Sequence, residues 1–244
     1  MSLKAVLFDF NGVIINDEAL HEKLIEQLLV EENLRIKPGE YREVCLGRSD
    51  RACLTDLLTR RGRVVTDTYL TNLIERKSRA YQQELATLET LPSYPGLTEL
   101  MTQLQAAHIV MGVVSGAVRS EVEYVLAHLN LREFFTVIVA GDDIQGSKPD
   151  PEGYLLAVTQ LRQHSPASQL QPCECLAIED TLRGITAAKQ AGMQVVGVAN
   201  TYPFHMMQRY ANWAVDYLSD LELDRIQAVF AEEQNVRMKP VEGS

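Results

Sequence analysis

The second part of the chain alternates short apolar runs with helical patterns, and this alternation restricts the fold more than any other feature. Helices are predicted at 97–107, 119–130, 152–163, 182–191 and 221–234, and strands at 109–114, 136–140, 175–178, 195–199 and 214–217. Strands joined through helices pair in parallel, because a parallel connection has to cross the sheet. The sequence therefore predicts an α/β fold with a doubly wound parallel sheet, in which 214–217 is an edge strand.

One more strand is predicted near the start of the chain, where the apolar run 5–8 ends at Asp9. Gly12 follows closely, as a turn just after a strand requires. Open α/β sheets bind ligands at the carboxyl ends of their strands, so Asp9 lies where a functional group is expected. Taken alone, this stretch is explained equally well by an ordinary Asp-Asn-Gly turn.

Residues 17–88 contain helical patterns and no strand pattern. Apolar residues recur at helical spacing from Ala19 to Leu29, and further helices are predicted at 52–61 and 66–84. The turn cluster at 92–96 marks the return to alternating elements and is a natural hinge. We therefore predict an all-helical domain of residues 17–88, inserted into a core formed by residues 1–16 and 89–244.

Charge and cysteine content exclude several classes of partner. The net charge of −10 and the pI of about 5.0 argue against nucleic acids and anionic membranes. The chain shows neither a secretory signal pattern nor a long apolar run, so we expect a cytoplasmic protein. Cys173-x-Cys175 has no second pair at zinc spacing, so structural or free thiols are expected. We expect a monomer or a weak dimer.

Four short motifs occur in a fixed order along the chain: Asp9-x-Asn11-Gly12-Val13, Ser115 after the strand 109–114, Lys148 in GSKPDP, and Glu179-Asp180 after the strand 175–178. This order resembles the haloacid dehalogenase superfamily, and within it the β-phosphoglucomutase-like phosphatases and mutases. The resemblance covers nearly the whole chain and implies a Rossmann-like core with a mobile helical cap. One position departs from the family, because Asn11 stands where an aspartate is usual.

The resemblance implies a role for each carboxylate at the strand ends. Asp9 would be the nucleophile that attacks phosphorus and becomes an aspartyl-phosphate. Two anions repel, so this attack needs a cation. Asp9, Asp180 and the backbone carbonyl of Asn11 would form an oxygen-only site for Mg²⁺. Glu179 would be a further ligand or a partner of the ligands. The ordinary alternative for the pair 179–180 is a helix N-cap, which is compatible with the metal role.

Two other core motifs would act on the phosphoryl group. In the resembled family the lysine matching Lys148 pairs with the nucleophile and spreads charge in the transition state. Ser115 and the backbone at Gly116 would donate hydrogen bonds to phosphoryl oxygens. Each has an ordinary alternative, because a lone lysine is usually solvated and a serine after a strand usually caps a helix.

Asn11 removes a catalytic proton from this scheme. The family's aspartate protonates the leaving oxygen and then activates the second nucleophile, which an amide cannot do near neutral pH. The protein should therefore be slow, depend on good leaving groups, or take its proton from another residue. His21 is the candidate, because the mutases carry a histidine at the same offset, although an ordinary polar helix face explains it equally well.

Several cationic side chains are candidates for binding the rest of the substrate. Arg48 and Arg51 lie in or beside the loop that matches a substrate-specificity loop of the cap, and could hold a second anionic group. Lys77 matches a cap lysine that reaches the active site in the mutases. Arg119 follows the Ser115 motif and could face the cleft. Solvated surface positions are the alternative for all four residues.

The sequence thus predicts a Mg²⁺-dependent phosphatase for a small phosphorylated metabolite such as a sugar phosphate. One alternative is a β-phosphoglucomutase-like sugar phosphomutase, which Asn11 disfavours because a mutase must move protons at two hydroxyls. A second alternative is a binding or regulatory protein that retains the fold with little turnover. Asn11 favours that alternative, and the retained Asp9, Lys148 and Asp180 oppose it.

Overall fold

Six parallel strands form one sheet at the centre of the molecule. The structure, a computed structural model, describes residues 2–164 and 169–237, so residues 1, 165–168 and 238–244 of the predicted core range lie outside it. The strands are β1 (Ala5–Phe8), β2 (Val110–Val114), β3 (Phe135–Val139), β4 (Cys175–Glu179), β5 (Gln194–Val198) and β6 (Trp213–Val215). Their order is β3-β2-β1-β4-β5-β6, so the first strand is central. Strand β6 lies at an edge, as predicted for 214–217.

Ten α-helices accompany the sheet in the described part of the chain: α1 (Glu18–Glu31), α2 (Glu40–Val44), α3 (Asp50–Thr59), α4 (Asp67–Leu85), α5 (Leu97–Ala106), α6 (Arg119–His128), α7 (Glu152–His164), α8 (Leu182–Gln190), α9 (Phe204–Tyr210) and α10 (Leu223–Arg237). Eight of them correspond to predicted helical patterns. The sequence analysis missed α2 and α9, which have 5 and 7 residues and are too short to show a helical period. None of these helices is both long enough and apolar enough to cross a lipid bilayer.

The central strand β1 is buried on both faces because helices cover both sides of the sheet. Val6 and Phe8 pack into a layer with α5, α6 and α10, whereas Ala5 and Leu7 pack into a layer with α7 and α8. All four residues have no exposed surface. A continuous apolar run is what a parallel strand buried on both faces requires. The sheet therefore holds the end of β1 rigidly, and Asp9 follows directly.

Helices α1 to α4 form an insert between β1 and α5, which confirms the predicted helical insertion. The insert has an apolar core of its own, to which Leu28, Leu57 and Leu73 contribute from α1, α3 and α4. A disulfide between Cys45 and Cys53 joins the end of α2 to α3, a pairing that the sequence analysis did not identify. The exact boundaries of this domain, at residues 17 and 88, stay predictions.

The chain enters and leaves the insert through two adjacent segments. Ile15 pairs with Ser93 in an antiparallel bridge, and the backbone N–H of Asn16 donates to the carbonyl of Pro92 at 2.7 Å. Few backbone hydrogen bonds join these two connecting segments. The segments are therefore the natural hinge about which the insert can move relative to the core.

Candidate active site

The carboxyl ends of β1, β2 and β4 bring three predicted residues to one edge of the sheet. Phe8 lies beside Val113 on one side and Ile178 on the other, so the strands end at similar heights. Asp9, Ser115 and Asp180 follow these strands, and each is less than 7% exposed. Lys148 reaches the same edge from the loop that follows β3.

Lys148 connects the nucleophile candidate with a second carboxylate. Its Nζ donates to Asp9 Oδ1 at 2.7 Å, to Glu179 Oε1 at 2.6 Å and to the carbonyl of Val114 at 3.2 Å. Tyr154 on α7 also donates to Glu179 Oε1, at 2.6 Å. Burial disfavours the charged lysine, but the charges of Asp9 and Glu179 outweigh it and raise the pKa of Lys148. The lysine is therefore a fixed cation.

Three buried carboxylates lie close together at this edge of the sheet. Asp9, Glu179 and Asp180 each offer an oxygen, and these oxygens lie within 4.8 Å of one another. Burial, followed by the charge of Glu179, raises the pKa of Asp9 to about 7 even though Lys148 acts in the opposite direction. Burial and the charges of Asp9 and Glu179 also raise the pKa of Asp180 well above its usual value. With all three carboxylates ionised, the triad would carry more negative charge than Lys148 alone can balance.

The contacts of Asp180 fit a bound cation. Its Oδ2 accepts a hydrogen bond from Thr201, whereas its Oδ1 is buried and has no partner among the described residues. A buried carboxylate oxygen without a partner is costly, and a metal ion removes that cost. Gly12 approaches so closely that a Cβ atom there would lie 1.9 Å from Oδ2, and its φ of +80° also favours glycine. The donors are all oxygens, as hard divalent cations prefer.

Asn11 lies in a hydrogen-bonded cluster with the start of α1. Its Nδ2 donates to both oxygens of Asp17, at 3.1 and 2.9 Å, and lies 2.9 Å from Nε2 of His21. Tyr81 on α4 donates to Asp17 Oδ2 at 2.5 Å, and His21 Nε2 lies 3.2 Å from the same oxygen. The ring of His21 stacks on that of Tyr81, with 4.9 Å between centroids. The predicted residue His21 therefore contacts Asn11 directly.

Asp17 controls the charge of this cluster. Burial and the nearby Lys77 disfavour a charged imidazole, but the charge and hydrogen bond of Asp17 outweigh them and raise the pKa of His21. Burial alone would raise the pKa of Asp17. The charge of His21 and the hydrogen bonds with His21, Tyr81 and Asn11 outweigh burial and lower this pKa. The pair therefore favours a protonated histidine beside an ionised aspartate.

The insert closes over this edge of the sheet. The backbone N–H of Ser49 donates to Ser147 Oγ at 2.8 Å. A Cβ atom at Gly47 would lie 2.9 Å from Thr181 Oγ1, and one at Gly116 would lie 2.9 Å from the Arg48 carbonyl. The remaining cavity measures about 50 Å³, which is far below the usual several hundred Å³ of a ligand pocket. The insert must therefore move outward to admit a metabolite.

Asp9, Lys148, His21 and Gly116 line this cavity, together with Arg48. The Ser115 side chain is buried beneath it, where Oγ accepts a hydrogen bond from the Ala117 N–H at 3.0 Å.

The predicted substrate-binding cations are engaged with carboxylates. Arg48 Nη1 lies 2.6 Å from Asp56 Oδ2, and Arg51 Nη1 lies 3.4 Å from Asp67 Oδ1. Arg51 lines a separate cleft of about 440 Å³ rather than the cavity above Asp9.

The other two cations lie farther from the cavity. Lys77 is buried between Asp50 and Glu121, at 2.8 and 3.1 Å. Arg119 pairs with Asp143 at 2.5 Å and is not among the residues that line the cavity.

Comparison with known proteins identifies the family. Residues 6–198 match the haloacid dehalogenase-like hydrolases. The chain belongs to this family. It is 31% identical over 227 residues to the β-phosphoglucomutase of Bacillus subtilis, covering 91% of this chain and 93% of that protein. It is 27% identical over 205 residues to validoxylamine A 7′-phosphate phosphatase of Streptomyces hygroscopicus subsp. limoneus, covering 82% and 87% of the two chains.

Solved structures of haloacid dehalogenase-like proteins share the fold. The β-phosphoglucomutase of Clostridium difficile gives a TM-score of 0.81 at 24% identity, covering 96% of this chain and 99% of that one. CbbY of Rhodobacter sphaeroides, solved in complex with phosphate, gives 0.77 at 25% identity, covering 91% and 97%. These similarities confirm the predicted family and the predicted fold class, a parallel α/β core with an inserted helical cap.

Sequence reasoning missed four polar residues of this haloacid dehalogenase-like site: Asp17, Tyr81, Tyr154 and Thr201. Asp17 lies four residues before His21, and that spacing at a helix start could have suggested the pair. The other three carry no local signal, because they reach the site from helices and loops distant in sequence.

Proposed function

We propose that this haloacid dehalogenase-like hydrolase is a Mg²⁺-dependent phosphatase that hydrolyses a small phosphomonoester through an aspartyl-phosphate on Asp9. The observation that carries the proposal is the contact of Asp9 Oδ1 with Lys148 beside an unpartnered oxygen of Asp180. A nucleophilic carboxylate needs such compensation before it can approach a phosphate dianion. Relatives described as phosphatases of phosphorylated carbohydrates and of N-acetylmuramic acid 6-phosphate support this substrate class.

In the first step, a carboxylate oxygen of Asp9 forms a bond to phosphorus and the ester oxygen leaves with the bonding electrons. Among the described residues, the hydrogen bonds to the Asp9 carboxylate use Oδ1, from Lys148 and the Phe10 N–H. Oδ2 therefore remains available for attack or for a metal. Lys148 stays charged throughout and stabilises the negative charge that is spread over the phosphoryl oxygens.

Asp9, Asp180 and the backbone carbonyl of Asn11 would hold the Mg²⁺ ion, with water completing its coordination. When bound, the ion neutralises charge shared by the carboxylates and the phosphoryl group. Glu179 contributes mainly through Lys148, because its carboxylate accepts hydrogen bonds from Lys148, Tyr154 and Thr181.

His21 is the residue to which we assign proton transfer. It lines the cavity and touches Asn11, which has no proton to give. In the first step His21 gives a proton to the leaving oxygen, and Asp17 stabilises its charge beforehand. In the second step a water oxygen bonds to phosphorus and loses a proton to His21. The bond from phosphorus to Asp9 then breaks, which releases inorganic phosphate and restores the carboxylate.

A substrate screen tests the proposed function. Phosphorylated sugars and p-nitrophenyl phosphate are incubated with the protein in Mg²⁺ and in EDTA, and inorganic phosphate is measured. We expect release that depends on Mg²⁺. Absence of release from every ester would support a binding or regulatory role. Conversion of one sugar phosphate into its isomer without release would support the mutase, whose case rests on the similarity to β-phosphoglucomutase.

The metal assignment predicts different effects for two neighbouring substitutions. Asp180→Ala deletes a proposed ligand and should raise the Mg²⁺ concentration for half-maximal activity by about tenfold to a hundredfold or more. Asn11→Ala should change it much less, because the backbone carbonyl is kept. Mg²⁺ titrations of both variants provide the measurement. Equal losses would mean that the Asn11 side chain is itself a ligand.

Asn11→Asp should speed the hydrolysis of esters with poor leaving groups. A carboxyl there would add a second proton donor beside His21, so alkyl and sugar phosphates should gain about tenfold or more if His21 alone is limiting, within the usual range for acid–base catalysis. An aryl phosphate leaves readily without a proton and should gain little. The rate is measured over esters of graded leaving-group pKa.

A decrease in rate on Asn11→Asp would identify the residue that donates a proton to the leaving oxygen. If the natural protein already cleaves alkyl phosphates rapidly and Asn11→Asp slows it, His21 already supplies the proton. His21→Gln should then slow alkyl phosphates much more than aryl phosphates.

A further inference from the structure

Two acidic residues of the cap line the cavity together with the core residues Asp9 and Lys148. Glu18 at the start of α1 and Asp50 at the start of α3 both line it. Asp9 and Lys148 belong to the core, so a substrate whose phosphoryl group contacts them would direct its leaving group toward the cap residues of the cavity. The charge of these two residues therefore acts on the part of the substrate that does not react.

Glu18 has no cationic partner in the described part of the chain. Its Oε1 accepts a hydrogen bond from the Tyr41 hydroxyl at 2.6 Å. Burial is the main cause of a raised pKa at Glu18, since the hydrogen bond from Tyr41 and the nearby His21 only partly offset it. A cationic or hydrogen-bonding group of a ligand would supply the stabilisation that the chain leaves out.

Asp50 lies between the cavity and the cap lysine. Lys77 Nζ is 2.8 Å from Asp50 Oδ2 and 3.1 Å from Glu121 Oε2. The Lys77 side chain has no exposed surface, whereas that of Asp50 is 13% exposed. The positive end of α3 further favours negative charge at its first residue. A ligand in the cavity therefore meets the carboxylate and not the ammonium group.

Arg48 does not reverse this balance. It is the one arginine among the cavity-lining residues of the described chain, and its Nη1 is held by Asp56 at 2.6 Å and by the Val44 carbonyl at 3.0 Å. Its charge is thus balanced by Asp56. The cap residues of the cavity thus include the carboxylates of Glu18 and Asp50 and the phenol of Tyr41, while the charge of His21 is balanced by Asp17.

We propose that Glu18 and Asp50 determine specificity by excluding substrates with a second anionic group, and that this site favours phosphomonoesters that bear an amine. We expect kcat/KM to be highest for esters that bear an amine, lower for esters that bear a hydroxyl, and lowest for esters that bear a carboxylate or a second phosphate. This inference rests on the proposed phosphatase function, because it assumes that the phosphoryl group lies at Asp9. An anion beside two carboxylates in a poorly hydrated cavity is disfavoured, and like-charge contacts of this kind discriminate strongly between ligands.

Three esters of nearly equal size test the order: 2-aminoethyl phosphate, 2-hydroxyethyl phosphate and carboxymethyl phosphate. We expect kcat/KM in Mg²⁺ to fall along this series, with about a hundredfold between the first and the last. Glucosamine 6-phosphate, glucose 6-phosphate and 6-phosphogluconate repeat the comparison at the size of a hexose. Equal rates, or a preference for the acid, would overturn the inference.

Two substitutions assign the effect to the residues named. Asp50→Asn and Glu18→Gln should each raise the carboxymethyl-to-hydroxyethyl ratio of kcat/KM by about tenfold, because each removes one repelling charge. Asp67→Asn is the matched control, since Asp67 lies on the same cap with a fully exposed side chain and should leave the ratio unchanged. Glu18→Gln keeps an acceptor for Tyr41, so it provides the answer if Asp50→Asn does not fold. An unchanged ratio in a folded variant would remove that residue from the proposed role.

Binding measurements separate this inference from the proposed function. The three small esters are titrated into the Asp9→Asn protein in Mg²⁺, and heat of binding is recorded. The same order of affinities with no turnover by the natural protein would support the selectivity and contradict the phosphatase. Turnover of p-nitrophenyl phosphate with a reversed order would contradict the selectivity alone.

Discussion

Asp9→Asn should lower kcat by at least about 10⁴-fold, because an amide is too weak a nucleophile to form the phosphoryl intermediate. The variant should stay folded. The two side chains have nearly the same shape, and the neighbouring strand is buried on both faces. Phosphate release from p-nitrophenyl phosphate measures the loss, and circular dichroism checks the fold. Intact mass of the acid-quenched natural protein should reveal the phosphorylated aspartate, which the variant should lack.

The matched control for this substitution is Asp224→Asn, which changes an exposed aspartate on α10 and should have no effect. Retention of more than a few per cent of activity by Asp9→Asn would remove Asp9 from the nucleophilic role. The other carboxylates of the triad, Glu179 and Asp180, would then have to be tested in the same way.

Lys148→Gln should lower kcat by about 10²–10³-fold, the usual cost of removing one group that stabilises transition-state charge. It should also lower the free energy of unfolding in EDTA by about 3–5 kcal/mol, because the buried carboxylates of Asp9 and Glu179 lose the ammonium group that they share. Mg²⁺ should restore part of that stability, since the ion replaces some of the missing positive charge. Steady-state kinetics and urea unfolding with and without Mg²⁺ measure both effects.

Lys189→Gln is the control, because Lys189 is an exposed lysine on α8. An unchanged kcat in Lys148→Gln would show that the contact with Asp9 has no part in catalysis. A large loss of stability together with full activity would leave Lys148 a purely structural role.

The sheet could be predicted from the sequence because its strands are short, continuous apolar runs separated by clear helical patterns. Asp9 and Asp180 directly follow such runs, so their meeting at one edge also follows from a parallel sheet. Helices α2 and α9 could not be predicted, because one or two turns contain too few residues to establish a period. Their formation depends on packing against elements that are distant in sequence.

The cap shows where sequence reasoning stops. Arg48, Arg51 and Lys77 could be identified as cations in the right region, and their roles in binding stay predictions. Their partners could not be foreseen, because an ion pair such as Lys77–Asp50 joins residues that only the packing of α3 against α4 brings together. Likewise, the sequence indicated His21 as a candidate proton donor. The contact of Tyr81 with Asp17 could not be foreseen, because it depends on the packing of α1 against α4.

The insertion of the helical cap at a single point after β1 largely separates the groups that would act on phosphorus from those that would contact the rest of the substrate. With the exception of His21, the groups proposed to take part in the reaction belong to the core, whereas Glu18, Tyr41 and Asp50, which also line the cavity, belong to the insert. Substitutions in the insert that keep His21 and its partner Asp17 should therefore redirect the protein to new esters without disturbing the buried triad. Such an arrangement favours divergence of substrate range at constant reaction type, and it makes exchange of the whole insert between relatives a practical route to altered specificity.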